Sequence, residues 1–536
     1  MIDLLNKRAR LLATSAAIAL VVTMVPPAHA ATPADTLVLA WAIDDIISLD
    51  PGEAFEISAG EIMGNTYDNL VNLDINDTSK VTPGIAASWT VSDDALTYTF
   101  TLKPDLTFAS GNPITADDVA YSFERAVKLD LSPAFILTQF GLTKDNVTEK
   151  AKALDPSTFV LTVDKAYAPS FVLNCLTANV GSIVDKTLLL EHVANDDFGN
   201  GWLKTNYAGS GPFKMMQWRA NEILVLERND NYYGEQPKLK RAIYRHMKES
   251  SGQRLALEAG DIDIARNLEP GDLDAISANA EITTDAAPKG TVYYFSLNQK
   301  NENLAKPEVR EALKYLVDYE AIGSTFIKGI GEIHQTFLPK GMLGSLDTNT
   351  YSLDVEKAKE LLAKAGLADG FSVTMDVRNT QPVTGIAESV QQTFAQAGVK
   401  LDIIPGDGKQ TLTKYRARNH DIYIGQWGTD YWDPHSNADT FAANPDNADD
   451  AAAKPLAWRN AWDIPELTQQ TAAALLEQDA TKRGEMYEDL QKQVLETGPF
   501  VIVFQQTEVA AHRTNVVGYK LGPSFDTNLL APVSKE

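Results

Sequence analysis

Residues 95–102, ALTYTFTL, alternate strictly, with Leu96, Tyr98, Phe100 and Leu102 on one face and Thr97, Thr99 and Thr101 on the other. That period of two predicts a half-buried strand. After a turn at Ser110-Gly111-Asn112-Pro113 the period changes. Thr115 stands at a helix start with Asp118 at the capping-box position, and ADDVAYSFERAV carries the helix onward. Pro307 opens a second helix with Val309, Ala312, Leu313 and Leu316 on one side. Asp354 precedes a third, whose inner face is Val355, Ala358, Leu362 and Ala365 and whose stop is Gly366. Strand and helix signals mix along the chain without repeats or low-complexity tracts, so an α/β architecture is expected.

The N-terminus is patterned differently. Lys7, Arg8 and Arg10 precede an apolar run from Leu11 to Val25, and Ala28-His29-Ala30 follows the Pro26-Pro27 break. This order predicts a secretory signal peptide over residues 1–30, cleaved before Ala31. No cysteine stands at the cleavage site to take a lipid, and no later stretch is apolar enough to span a bilayer. The expected product is an exported, soluble chain of about 506 residues, enough for two or three domains. Removing the leader changes the net charge from -25 to -27, with 44 basic residues left against 71 acidic. Such a surface repels nucleic acid and anionic lipid. The one cysteine, Cys175 in FVLNCLT, has no partner for an internal disulfide and reads as a small core residue.

Enzyme motifs are absent: there is no G-x-S-x-G, H-E-x-x-H, P-loop or G-x-G-x-x-G. Six histidines outside the leader are scattered at positions 192, 246, 334, 420, 435 and 512. Chemistry-bearing side chains concentrate in QWGTDYWDPHSNADTF, residues 426–441, where Asp430, Asp433, His435 and Asp439 lie among Trp427, Tyr431 and Trp432. By residue type this stretch fits a carboxylate pair, a metal site, an aromatic cradle for a cation, or a solvated acidic loop. Its spacing is not that of an EF-hand, and no metal or cofactor is expected.

Six segments in order resemble the extracytoplasmic solute-binding proteins of family 5, which serve peptide and nickel ABC importers. They are LVLAWAIDDIISLDPGEAFEISAGEIMGNTYDNLVNLD with Leu49-Asp50-Pro51; PGIAASWTVSDDALTYTFTLKPDLTFASGNPITADDVAYSFERA; and YAGSGPFKMMQW, where Gly209-Ser210-Gly211-Pro212-Phe213 matches the family's G-T-G-P-aromatic turn. YYFSLNQKNENLAKPEVREALKYLVDYEAI carries Asn298, Val309-Arg310-Glu311-Ala312 and Asp318, and YSLDVEKAKELLAKAG and IGQWGTDYWDP complete the series. Leu304-Ala305-Lys306 departs from the Pro-Phe-acid of many members.

The resemblance implies a two-lobed periplasmic-binding-protein fold of three domains, with a hinge between the lobes and the ligand enclosed in the cleft. Domain I would be discontinuous, residues 31–64, 206–298 and 509–536; domain II, residues 65–205, would be inserted in the same lobe; domain III, residues 299–508, would form the other lobe. Crossovers near Asn298 and Gln505 would act as the hinge. In peptide-binding members an Asp of W-x-x-D-x-x-[DE]-P pairs with the ligand ammonium, and Asp430 matches it. Trp427, Tyr431 and Trp432 would wall the pocket, while Asp433 would support the loop. Arg378 matches an arginine that takes the ligand carboxylate, and Phe55, Glu56 and Ile57 match the edge beside the peptide backbone. The implied role is the non-enzymatic, monomeric binding component of an importer in a Gram-negative periplasm, passing a short peptide to an inner-membrane permease and its ATPases. An oligosaccharide, an opine-like amino acid conjugate or a metal chelate is the alternative solute.

Overall fold

The computed structural model describes residues 32–266 and 268–536; the expected leader lies outside them. Two unusually long strands organise the molecule. Ile282–Leu297 and Phe500–Arg513 pair antiparallel from Ile282 opposite Arg513 to Ser296 opposite Phe500. On one flank of this pair the sheet continues through Ile422–Gly428, Phe371–Arg378 and Val399–Gly406. On the other it continues through Ile264–Ala265, Thr36–Trp41, Arg241–His246, Ile223–Arg228 and Phe213–Arg219. The long strands thus join two lobes, and each lobe builds its own core. Leu313, Met375, Ile386 and Phe504 belong to one side, and Leu39, Ile62, Leu226 and Ala510 to the other.

The ladder between the long strands is irregular from Pro288 to Val292 and again between Tyr293 and Tyr294. Side chains replace the lost backbone bonds: Gln505 donates to the Lys289 carbonyl (2.9 Å) and accepts from the Lys340 N–H (2.9 Å). A bulge of this kind bends a strand and sharpens its twist. The irregularity falls opposite Gln505 and before Asn298. From Tyr294 to Ser296 the pairing is regular, and the buried Asn298 amide donates to the Arg418 and His420 carbonyls (3.0 and 2.8 Å).

Inserted before the middle of the chain is a four-stranded antiparallel sheet in the order Ala86–Val91, Thr97–Leu102, Thr158–Thr162, Ala151–Asp155. Tyr98 and Phe100 face its core, as the alternation predicts, with Phe123, Phe159, Phe171 and Cys175. The helix Ala116–Leu129 begins at Thr115, whose N–H and hydroxyl both donate to the Asp118 carboxylate (2.9 and 2.8 Å). Pro307–Tyr315 and Val355–Lys364 are the other two expected helices; Asp354 accepts from the Lys357 N–H (2.8 Å), and Gly366 follows at φ +78°.

Two quoted motifs hold the first lobe together. Asp50 and Arg125 form a fully buried two-pronged ion pair (Nη1–Oδ1 2.7 Å), with Asn200 also donating to Asp50 (2.7 Å). Gly209 and Gly211 pass so close to the Thr66 backbone that a Cβ would lie within 2.6 and 2.5 Å of its atoms, which demands glycine at both positions.

Candidate functional site

Where the lobes meet, a cavity of about 460 Å3 opens beside the irregular crossing. The first lobe contributes the segment around Phe55, Glu56 and Ile57, Asp68, and the C-terminal loop around Asp526; the second contributes Gly428 to Trp432. Contacts between the lobes shut the cleft around it. Gln478 donates to the Ala166 and Tyr167 carbonyls (2.7 and 3.0 Å), and the Thr78 hydroxyl donates to the Gly341 carbonyl (3.0 Å).

The stretch from Asp430 to His435 divides its labour by residue. The Asp430 N–H is held by Ser436 Oγ (3.0 Å), while its carboxylate has neither a hydrogen bond nor an ion pair among the described residues. It lines the cavity, and desolvation there pushes its pKa up to about 7. Tyr431 lines the cavity but also crosses to the inserted domain, its hydroxyl donating to Gln139 (3.3 Å) and its ring meeting Phe171 edge-on at 5.8 Å. Trp432 forms part of the wall beside Gly290. Asp433 faces away into a buried two-pronged pair with Arg483 (2.7 and 2.8 Å) and caps the helix Pro434–Phe441 through the His435 N–H (2.9 Å). His435 is buried edge-on against Phe171, and desolvation lowers its pKa, which keeps the ring neutral.

Phe55, Glu56, Ile57, Asp430, Tyr431 and Trp432 therefore share one cavity, whereas Trp427 and Arg378 are not part of its lining. Trp427 lies inside a strand opposite Val292, where the pleat turns its indole onto the second lobe's interior. Arg378 ends the strand Phe371–Arg378, exposed, with its guanidinium lying over Gly408. That position has its own logic. The parallel strands Phe371–Arg378 and Val399–Gly406 are neighbours, yet the helix after the first, Val383–Gln396, packs on one face of the sheet and the helix after the second, Gly408–Arg416, on the other. The carboxyl ends of such a pair form the crevice where open α/β sheets bind ligands. Continuing the strand register puts Arg378 about level with Gly425, five residues before Asp430 in the chain.

Several lining residues carry no local sequence signal. Asp68 accepts from Ser210 Oγ (2.7 Å), and burial raises its pKa. The Pro523–Thr527 loop reaches the cavity because the Gly290 N–H donates to the Pro523 carbonyl (3.0 Å). Lys289, the cation of the lining, is already engaged: its ammonium contacts Glu508 (2.7 Å), the Gly522 carbonyl (2.7 Å) and Asn528 (2.9 Å), and lies 4.7 Å from the Phe525 ring centre. Among the described residues no group of three or more His, Cys, Asp or Glu is placed to hold a metal ion, and no helix is long and apolar enough to cross a membrane.

This two-lobed architecture with a cavity at the crossing is that of extracellular binding proteins, and comparison with known families agrees. Residues 80–449 match the model of bacterial extracellular solute-binding proteins, family 5 middle, so the chain belongs to this family of solute-binding proteins. It is 30% identical over 511 residues to the probable D,D-dipeptide-binding periplasmic protein DdpA of Escherichia coli K12, covering 94% of this chain and 95% of that one. Among solved structures it resembles the periplasmic binding protein DppA of Helicobacter pylori in complex with the peptide STSA, with a TM-score of 0.78 at 25% identity over 94% of this chain and 98% of that one. It also resembles AgaA from A. tumefacien R10 in complex with agropinic acid, with a TM-score of 0.74 at 25% identity over 94% and 99% of the two chains.

Proposed function

We propose that the protein is the substrate-binding component of an ABC importer that captures a short peptide by lobe closure. The observation that carries this reading is the Asp430 carboxylate, enclosed and unpartnered in the cavity. A carboxylate desolvated in this way is poorly stabilised until a cation arrives, and a charge-assisted bond from a ligand ammonium contributes about 1.5–3 kcal/mol net. Phe55, Glu56 and Ile57 face the ligand from the first lobe, and Tyr431 and Trp432 from the second; Trp427 contributes by backing the strand that leads to Asp430. Arg378, at the sheet crevice, takes the ligand carboxylate through its planar fork.

In this reading the lobes are residues 31–64, 206–298 and 509–536 with the inserted 65–205, against 299–508. They rock about the irregular crossing at Pro288–Val292 and Gln505. Residues 1–30 direct export to a Gram-negative periplasm, where the monomer delivers its solute to an inner-membrane permease and its ATPases, without performing chemistry on it. The likeness to AgaA, solved with agropinic acid, supports a second reading in which the solute is an opine-like conjugate.

Native mass spectrometry of protein purified from the exported compartment, with identification of what denaturation releases, separates the two. A mixture of short peptides supports the first reading. A single non-peptide compound replaces the solute and leaves the importer role standing.

A further inference from the structure

The charges around the cavity do not balance. Glu56, Asp68, Asp430 and Asp526 all line it, and the cation among its lining residues, Lys289, is held by Glu508. Asp68 has a hydroxyl partner in Ser210 (2.7 Å) and feels the charge of Lys103. Glu56 stands at the start of the helix Ile57–Thr66 without capping it; its carboxylate accepts from backbone N–H groups, that of Phe55 at 3.2 Å, has no ion pair among the described residues, and Asp45 and Glu53 add like charge. Asp430 has no partner at all among the described residues. Asp526 has a hydrogen bond from Ser524 and feels the charge of Lys289, yet one terminal ammonium would answer Asp430 alone and leave Glu56 and Asp526 on the cavity wall without an ion pair among the described residues.

We infer that the ligand carries a second positive charge, and that Glu56 and Asp526 on the first lobe select a peptide with a basic side chain over neutral and acidic ones. This rests on the peptide reading and narrows it. The wall beside Glu56 suits such a side chain. Phe55 and Ile57, each more than two-fifths exposed, offer apolar surface to the methylene stem of a lysine or the face of a guanidinium. The direction of the pKa shifts agrees: burial raises Glu56 and Asp526 as well as Asp430, as expected of carboxylates awaiting a cation.

The test is calorimetric titration at pH 8 and one ionic strength with Ala-Lys, Ala-Ala and Ala-Glu, and with cadaverine as a non-peptide dication. The expected order is Ala-Lys tighter than Ala-Ala tighter than Ala-Glu, with the outer two at least a hundredfold apart. Glu56→Gln, and independently Asp526→Asn, narrows that ratio at least fivefold, so that a folding failure in one variant leaves the other decisive. Equal affinity for Ala-Lys and Ala-Glu overturns the inference while leaving the peptide reading in place. Binding of cadaverine with none of the peptides retains the cationic ligand and removes the peptide. Binding of none of the four overturns both.

Discussion

Asp430 and Asp433 lie three residues apart in one loop and do opposite work. Asp433 is paired with Arg483 on both oxygens, buried on both sides. Removing one partner of such a pair strands a buried charge and costs about 3–5 kcal/mol. Arg483→Met is therefore expected to lower the unfolding free energy by that amount in a denaturant titration, and a change below about 1 kcal/mol would contradict a structural role for the pair. Asp430 has no such partner among the described residues, and desolvation pushes its pKa up to about 7. Its folded pKa lies above the ordinary carboxylate value, so between pH 4 and 7 the folded state binds more protons than the unfolded one. The empty protein accordingly loses stability as pH rises through that window. A cationic ligand favours the ionised form. Its affinity should therefore fall about tenfold for each unit below pH 7, and fall again above about pH 8 as the peptide α-ammonium loses its proton. Asp430→Asn should flatten this profile; a flat wild-type profile between pH 5.5 and 8 would sink the assignment.

At the scale of elements, the helix Ala116–Leu129 was legible because its signals are local: Thr115 and Asp118 form the bonds that their spacing predicts. Asp118→Ala should cost about 1 kcal/mol through the cap, read as a shift in the thermal midpoint that Asp117→Ala, on the exposed face, does not reproduce. The strand around Tyr98 and Phe100 was legible for the same reason, since one face is buried and the other is not. Other features depend on contacts far apart in sequence and left no trace in any window. The bulge at Pro288–Val292 is completed by Gln505, and the loop at Pro523 enters the cavity through Gly290. Trp427 has the composition of a pocket wall, yet strand pairing with Val292 turns it inward, and Trp432 stands in the wall instead. Even Asp50, prominent in its Leu-Asp-Pro motif, needed Arg125 and Asn200 beside it before its role as a buried tie was visible.

The cleft is shut by polar contacts, Gln478 on the Ala166 and Tyr167 carbonyls, Thr78 on Gly341 and Tyr431 on Gln139, and by apolar ones, with Tyr431 and His435 edge-on against Phe171. Polar contacts exposed to competing water stabilise closure weakly. A ligand that touches both lobes at once adds to these contacts. Stripped of ligand, the protein should have a radius of gyration in small-angle scattering larger than the closed structure gives, and bound peptide should reduce it. An unchanged value would deny that closure accompanies binding. Ligand at a hundredfold excess over Kd should raise stability by about 2.7 kcal/mol. All of this turns on whether a ligand ammonium meets Asp430. The most direct measurement is paired titration calorimetry of wild type and Asp430→Asn with Ala-Lys and its N-acetylated form. The account predicts at least a tenfold loss of affinity on acetylation in the wild type, and little further loss on acetylation in Asp430→Asn. Equal affinity of the wild type for the free and acetylated peptides would contradict it.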